Sequence, residues 1–140
     1  VTPDRFVVDA SVLGAAFFNE ADSEKARAFL RRGPSLIAPD LLQLQIAEIA
    51  AGKIRRQEAS IEVARRATDM VTEFVQRLAP TGVLTTQAFD LVARHQMPIQ
   101  DAVYLALAEA EGCTLVTLDQ SLARAASAAG LGALVQPLEE

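Results

Sequence analysis

Three short apolar runs are each bordered by a lone aspartate. Phe6-Val7-Val8 ends at Asp9, and Leu115-Val116-Thr117-Leu118 ends at Asp119. Asp101 stands just ahead of the apolar segment Ala102-Val103-Tyr104-Leu105-Ala106-Leu107-Ala108. In an open parallel α/β sheet, ligands bind beyond the carboxyl ends of the strands. Two strand-end carboxylates and one at a helix start are therefore expected to meet in one pocket. Crowded carboxylates repel each other unless a cation sits among them, and a divalent metal is the usual one.

Each acid also has a plainer explanation. An Asp between a strand and a helix caps the helix, which would account for Asp9 or Asp119 taken singly. Ser11 and Thr117 place hydroxyls near both, useful for orienting a carboxylate or a metal-bound water. Asp101 in a first helical turn is favourable electrostatically. Its helix, however, is apolar almost all round and is expected to be central, so an acid at its mouth would face a cleft. Glu48 lies mid-helix in Gln43-Leu44-Gln45-Ile46-Ala47-Glu48-Ile49-Ala50 and shares a face with Gln45, three residues before it. A solvent-facing strip is the alternative for that pair.

The elements that must position these residues alternate. Strands are expected at Phe6–Val8, Leu36–Ala38, Val83–Leu84 and Leu115–Leu118, with a fifth at Leu134–Val135. Helices are expected over residues 11–18, 22–32, 40–54, 58–79, 86–95, 100–111 and 121–129. In the long fourth helix, Ile61, Ala64, Val71, Phe74, Val75 and Leu78 form the inner stripe, and Pro80 ends it. Such alternation predicts a mainly parallel sheet of four to five strands with helices on both faces, in one domain spanning residues 1–140.

The 140 residues, 51% of them apolar, suit one buried core and are too apolar for disorder. No apolar run is long enough to span a bilayer, so no membrane association is expected. The single cysteine, Cys113, forms no internal disulfide; a reducing cytoplasm and a small core residue are the natural reading. The net charge of −5 argues mildly against a nucleic-acid partner. Setting aside Asp9, Glu48, Asp101 and Asp119, however, leaves 14 of the 18 acids against 13 bases. Two basic groups, Lys25/Arg27/Arg31/Arg32 and Lys53/Arg55/Arg56/Arg65/Arg66, are candidates for holding phosphates or are solvated helix faces.

Other chemistries fit poorly. His95, the only histidine, falls at a helix end, so no nucleophile–His–acid triad can be drawn. A phospho-acceptor domain would want adjacent acids after the first strand and a late lysine; the only lysines are Lys25 and Lys53. There is no Gly-rich phosphate loop. With no Trp and one Tyr, base stacking on an aromatic platform is not expected.

Taken in series, these segments resemble PIN-domain proteins, particularly the VapC-type ribonuclease toxins. Val7-Val8-Asp9-Ala10-Ser11 looks like the family's first motif and Ala38-Pro39-Asp40-Leu41-Leu42 its second. Asp101 to Ala108 resembles the third and Leu115 to Asp119 the fourth. The resemblance implies a PIN-like three-layer fold and a Mg²⁺- or Mn²⁺-dependent endoribonuclease. Asp9, Asp101 and Asp119 would hold metal, with Ser11, Gln45 and Thr117 around them. It also implies an RNA substrate, an antitoxin partner, a homodimer and a toxin–antitoxin hetero-oligomer. The second motif departs from the family pattern: Gln45 stands at the usual acid's position and Glu48 at the usual Asn. Glu48, one turn on, is the candidate replacement carboxylate. The alternative is a degenerate PIN-like module that binds without cutting.

Overall fold

The computed structural model describes residues 5–138, so the ends of the expected 1–140 span lie outside the described residues. Five parallel strands form one sheet in the order β3-β2-β1-β4-β5: β1 (Arg5–Val8), β2 (Ser35–Pro39), β3 (Arg77–Ala79), β4 (Thr114–Thr117) and β5 (Val135–Pro137). Between them run α1 (Ala10–Phe17), α2 (Ser23–Arg31), α3 (Leu41–Arg55), α4 (Ile61–Phe74), α5 (Thr81–Arg94), α6 (Ile99–Glu111) and α7 (Gln120–Ala128).

The period-two alternation of a strand divides the core in two. Val7, Ile37 and Leu115 face α5, α6 and α7, while Val8, Leu36, Ala38 and Val116 face α1 to α4. The result is the expected three-layer α/β architecture. Val7 pairs with Ile37 of β2 and Leu115 of β4, which makes β1 the central strand. Helix α6 is buried continuously from Ala102 to Ala108. Gly112 then ends it at φ 65°, a left-handed conformation that costs a glycine little. None of the helices described is long and apolar enough to cross a membrane.

Two expectations are corrected at the β2 edge. The long helix does not reach Ala79; it ends at Phe74, and Val75 is already extended. Gln76 then docks on β2 in place of a strand residue. Its N–H donates to Leu36 O at 3.0 Å and its Oε1 accepts the Leu36 N–H at 2.6 Å. The third strand is therefore Arg77–Ala79, with Leu78 opposite Ala38. The helical spacing of Leu78 from Val71 and Phe74 concealed a three-residue strand that runs from exposed Arg77 to buried Ala79. Val83 and Leu84, expected as that strand, lie in α5, where Leu84 and Ala88 make the buried face and Val83 is 78% exposed. Ile61, placed on the inner stripe of α4, is instead 56% exposed. The fifth strand is shifted one residue on, since Leu134 closes a short 3₁₀ turn.

Candidate active site

Chain geometry brings the first and fourth motifs together, because β1 and β4 are neighbours and end side by side. Asp9 leaves β1 with extended backbone and caps α1 through the Ser11 N–H at 3.2 Å. The same Oδ1 accepts the Ser11 hydroxyl at 2.6 Å, and Oδ2 accepts the Thr117 hydroxyl at 2.5 Å. Both hydroxyl protons are spent on Asp9. Both hydroxyl oxygens are then used by the β4–α7 turn: Ser11 Oγ accepts Leu118 N–H and Thr117 Oγ1 accepts Asp119 N–H, each at 2.9 Å. Asp9 thus caps α1 while both hydroxyls that hold it are fully engaged as donors and acceptors.

Asp119 divides its carboxylate similarly. Oδ1 caps α7 by accepting Ser121 N–H at 2.9 Å and Leu122 N–H at 3.2 Å. Its Oδ2 takes no hydrogen bond among the described residues. Asp101, half-buried in the first turn of α6, makes neither hydrogen bond nor ion pair with the described residues.

The three aspartates feel one another. Burial, chiefly, raises the Asp9 carboxyl to about 6 against the hydrogen bonds of Ser11 and Thr117, and the Asp119 charge adds to the rise. Asp101 is also raised to about 6, by burial and then by the charges of Asp119 and Asp9. Beneath them Tyr104 is pushed well above its usual range by burial and by the charges of Asp9 and Asp101.

The donors are hard oxygens, which suit Mg²⁺ or Mn²⁺. Among the described residues, no group of three or more His, Cys, Asp or Glu side chains forms a ready cage for an ion. Mg²⁺ commonly keeps several waters and takes only one or two protein carboxylates directly. A site with Asp119 Oδ2 unclaimed, Asp101 unpaired and Asp9 fixed nearby fits that requirement.

The second motif behaves differently from the sequence expectation. Gln45 Oε1 accepts the Tyr104 hydroxyl at 2.6 Å, and its Nε2 donates to Gln100 Oε1 at 3.1 Å. The amide bridges α3 to α6 with both ends engaged. Glu48 is exposed and is not among the charges that raise Asp9 or Asp101. It lines an open groove of about 530 Å³ between α1 and α3, together with Ser11, Gly14, Gly52 and Leu118. The structure therefore joins Asp9, Ser11, Thr117 and Asp119 by hydrogen bonds, adds Asp101 through its charge, and sets Glu48 on the approach.

Two contacts between helices are not legible in the sequence. Tyr104 looks like one more core residue in an apolar helix, and only the facing amide shows its role. Asp40 looks like an ordinary helix-start acid. Its Oδ1 instead accepts the Thr81 hydroxyl at 2.6 Å and the Thr81 N–H at 3.0 Å. Thr81 Oγ1 in turn accepts the Leu41 N–H at 3.0 Å, stapling α3 to α5.

Known proteins resemble this chain in sequence or in fold. Ribonuclease VapC3 of Pyrobaculum aerophilum is 31% identical over 121 residues, spanning 85% of this chain and 92% of its own length. The crystal structure of Mycobacterium tuberculosis VapC20, a sarcin–ricin loop cleaving toxin, superposes with a TM-score of 0.68 at 21% identity. That match covers 89% of this chain and 95% of the other. PAE2754 from Pyrobaculum aerophilum superposes with a TM-score of 0.66 at 22% identity, over 96% of this chain and 84% of the other. Both structural matches bear on the fold. The PIN domain pattern matches residues 6–128, from the strand ahead of Asp9 through the helix that Asp119 caps, and the chain belongs to that family.

Proposed function

We propose that this chain is a divalent-metal-dependent endoribonuclease and the toxin of a toxin–antitoxin pair, acting as a single PIN-like domain over residues 1–140 in the cytoplasm. The observation that carries the reading is electrostatic. Asp9 and Asp101 are both held near 6 by burial and by acids from other elements. Such a cluster is poised to exchange protons for a cation. Likeness to Ribonuclease VapC3 supports RNA as the substrate.

Asp9 and Asp119 are the main ligands in this reading, with Asp101 completing the site. A bound Mg²⁺ or Mn²⁺ would supply Lewis acidity toward the phosphate and a more acidic water. The chain's own residues do the rest. Ser11 and Thr117 fix the rotamer of Asp9 through two short hydrogen bonds. Asp101, which makes no hydrogen bond or ion pair with the described residues, is free to orient the attacking water, whose proton passes to solvent. The new P–O bond forms as the bond to the departing ribose oxygen breaks, and that oxygen takes up a proton. Glu48, on the groove beside Ser11, orients incoming water or serves as a weaker ligand.

Exposed apolar side chains on α3, α4 and α5 provide surfaces for the antitoxin and for a second copy of the chain. Leu44, Ile61, Val63, Val83 and Phe89 are the most exposed of these. A second reading, a PIN-like module that binds without cutting, is favoured by one observation: Gln45, in the acid's place, is consumed by Tyr104 and Gln100. Cleavage of a mixed RNA pool with and without Mg²⁺ separates the two. Cutting that EDTA stops supports the nuclease. RNA retention without cutting supports the binding module.

A further inference from the structure

The α1–α3 groove contains a feature that metal binding leaves unexplained. Gly52 lies in the interior of α3 and is buried, although a mid-helix glycine is unfavourable to the helix. A side chain there would meet the guanidinium groups of two consecutive arginines. A Cβ on Gly52 would sit 3.0 Å from Arg56 Nη1 and 3.7 Å from Arg55 Nη2. The missing side chain thus leaves room for two like charges to gather at one point on the groove wall.

Most other cations of the two basic groups are already committed. Arg27 donates to Ala16 O and Phe18 O, while Lys25 pairs with Asp22 and Arg31 with Glu24. Lys53 is buried against Glu20 and Phe18, and Arg66 pairs with Glu73. Arg56 uses Nε on Glu58, which leaves Nη1 directed at Gly52. Arg55 has no carboxylate partner among the described residues. Both arginines line the groove that Ser11, a hydrogen-bond partner of Asp9, and Leu118, next to Asp119, also line together with Glu20, Asp22 and Glu48. Two planar guanidinium forks over a gap suit a phosphate, whose oxygens accept several N–H donors at once.

We propose that Arg55 and Arg56, gathered over Gly52, form a site for a backbone phosphate of the bound RNA strand, outside the carboxylate centre and along the same groove. This rests on the ribonuclease reading. The test uses the full chain carrying Asp9→Asn, so that RNA is held without being cut, and a fluorescent single-stranded RNA of mixed sequence titrated at several salt concentrations. Adding Arg55→Ala and Arg56→Ala should weaken binding roughly tenfold or more at low salt. The slope of log affinity against log salt should shrink by about 0.7 for each phosphate that is no longer neutralised. Gly52→Ala should displace the Arg56 tip and weaken RNA binding while raising the melting temperature, a combination that loss of fold would not give. Unchanged affinity and slope in the double-alanine variant would overturn the phosphate site and leave the nuclease reading standing. If the Asp9→Asn chain binds no RNA and the unaltered chain cuts none, the nuclease reading falls and the site falls with it.

Discussion

The Tyr104 hydroxyl donates to Gln45 Oε1 at 2.6 Å from beneath the aspartates, joining α6 to the helix that carries the unusual glutamine. The pair explains why an amide is tolerated there. Tyr104 is 2% exposed and needs an acceptor, which Gln45 provides without adding a fourth negative charge. Removing the donor with Tyr104→Phe should cost about 1–2 kcal/mol of stability, measured by urea denaturation. Gln45→Glu should keep the tyrosine bond, reverse the bond to Gln100, whose amide can turn to donate, and lower the metal-free melting temperature. It should also tighten Mn²⁺ binding, read by calorimetry.

Ser11 and Thr117 are worth more than their size. Ser11→Ala leaves the Leu118 N–H without its acceptor and frees one side of Asp9. Thr117→Val removes the donor to Oδ2 and the acceptor for Asp119 N–H. Each should reduce metal affinity or cleavage about 10- to 100-fold, the range found when groups that orient metal ligands are removed. Metal titration followed by single-turnover cleavage checks both effects.

The raised aspartates predict two opposite pH responses. Protons and cation compete for Asp9 and Asp101, so Mg²⁺ affinity should climb as pH rises through 6. For stability the sign reverses. Both carboxyls lie above their ordinary value of 3.8, so their contribution to stability is full below it and fades as pH rises through 6. In EDTA the melting temperature should therefore decline across that window, and Mg²⁺ should restore it. Asp101→Asn should raise the EDTA melting temperature at pH 7 and shrink the restoration by Mg²⁺.

Asp40 lies at the opposite extreme. Hydrogen bonds from Thr81 hold it below the usual carboxylate value, so its contribution is present at neutral pH and is lost as pH falls through its lowered folded value. Asp40→Ala or Thr81→Ala should each cost about 1 kcal/mol, typical of a lost helix cap. The double variant should cost little more than either, since the two act as one bond pair. Thermal unfolding of the set of four proteins measures this.

The legible parts of the sequence were those where one local signal sufficed. Val7-Val8-Asp9 and Leu115 to Asp119 announced buried strands followed by caps, and the parallel β1–β4 pairing then made neighbours of their acids. The apolar run after Asp101 placed α6 at the centre. What stayed hidden depended on facing partners. Arg77-Leu78-Ala79 is three residues long and becomes a strand because Gln76 locks onto Leu36, forty residues away. Val83-Leu84 has the composition of a strand, but Pro80 and the Asp40–Thr81 bonds start a helix first. Gln45 and Glu48 share a helix face by spacing, yet one turns to Tyr104 and the other to the groove.

In the proposed mechanism the three aspartates act together on RNA through a bound cation. Cleavage of a mixed RNA pool by the unaltered chain, Asp9→Asn and Asp101→Asn, each with Mg²⁺ and with EDTA, tests it most directly. Cutting is expected from the unaltered chain with Mg²⁺ alone, with a loss of at least a hundredfold in both variants. Equal cutting by all three proteins, or cutting that EDTA leaves untouched, would contradict it.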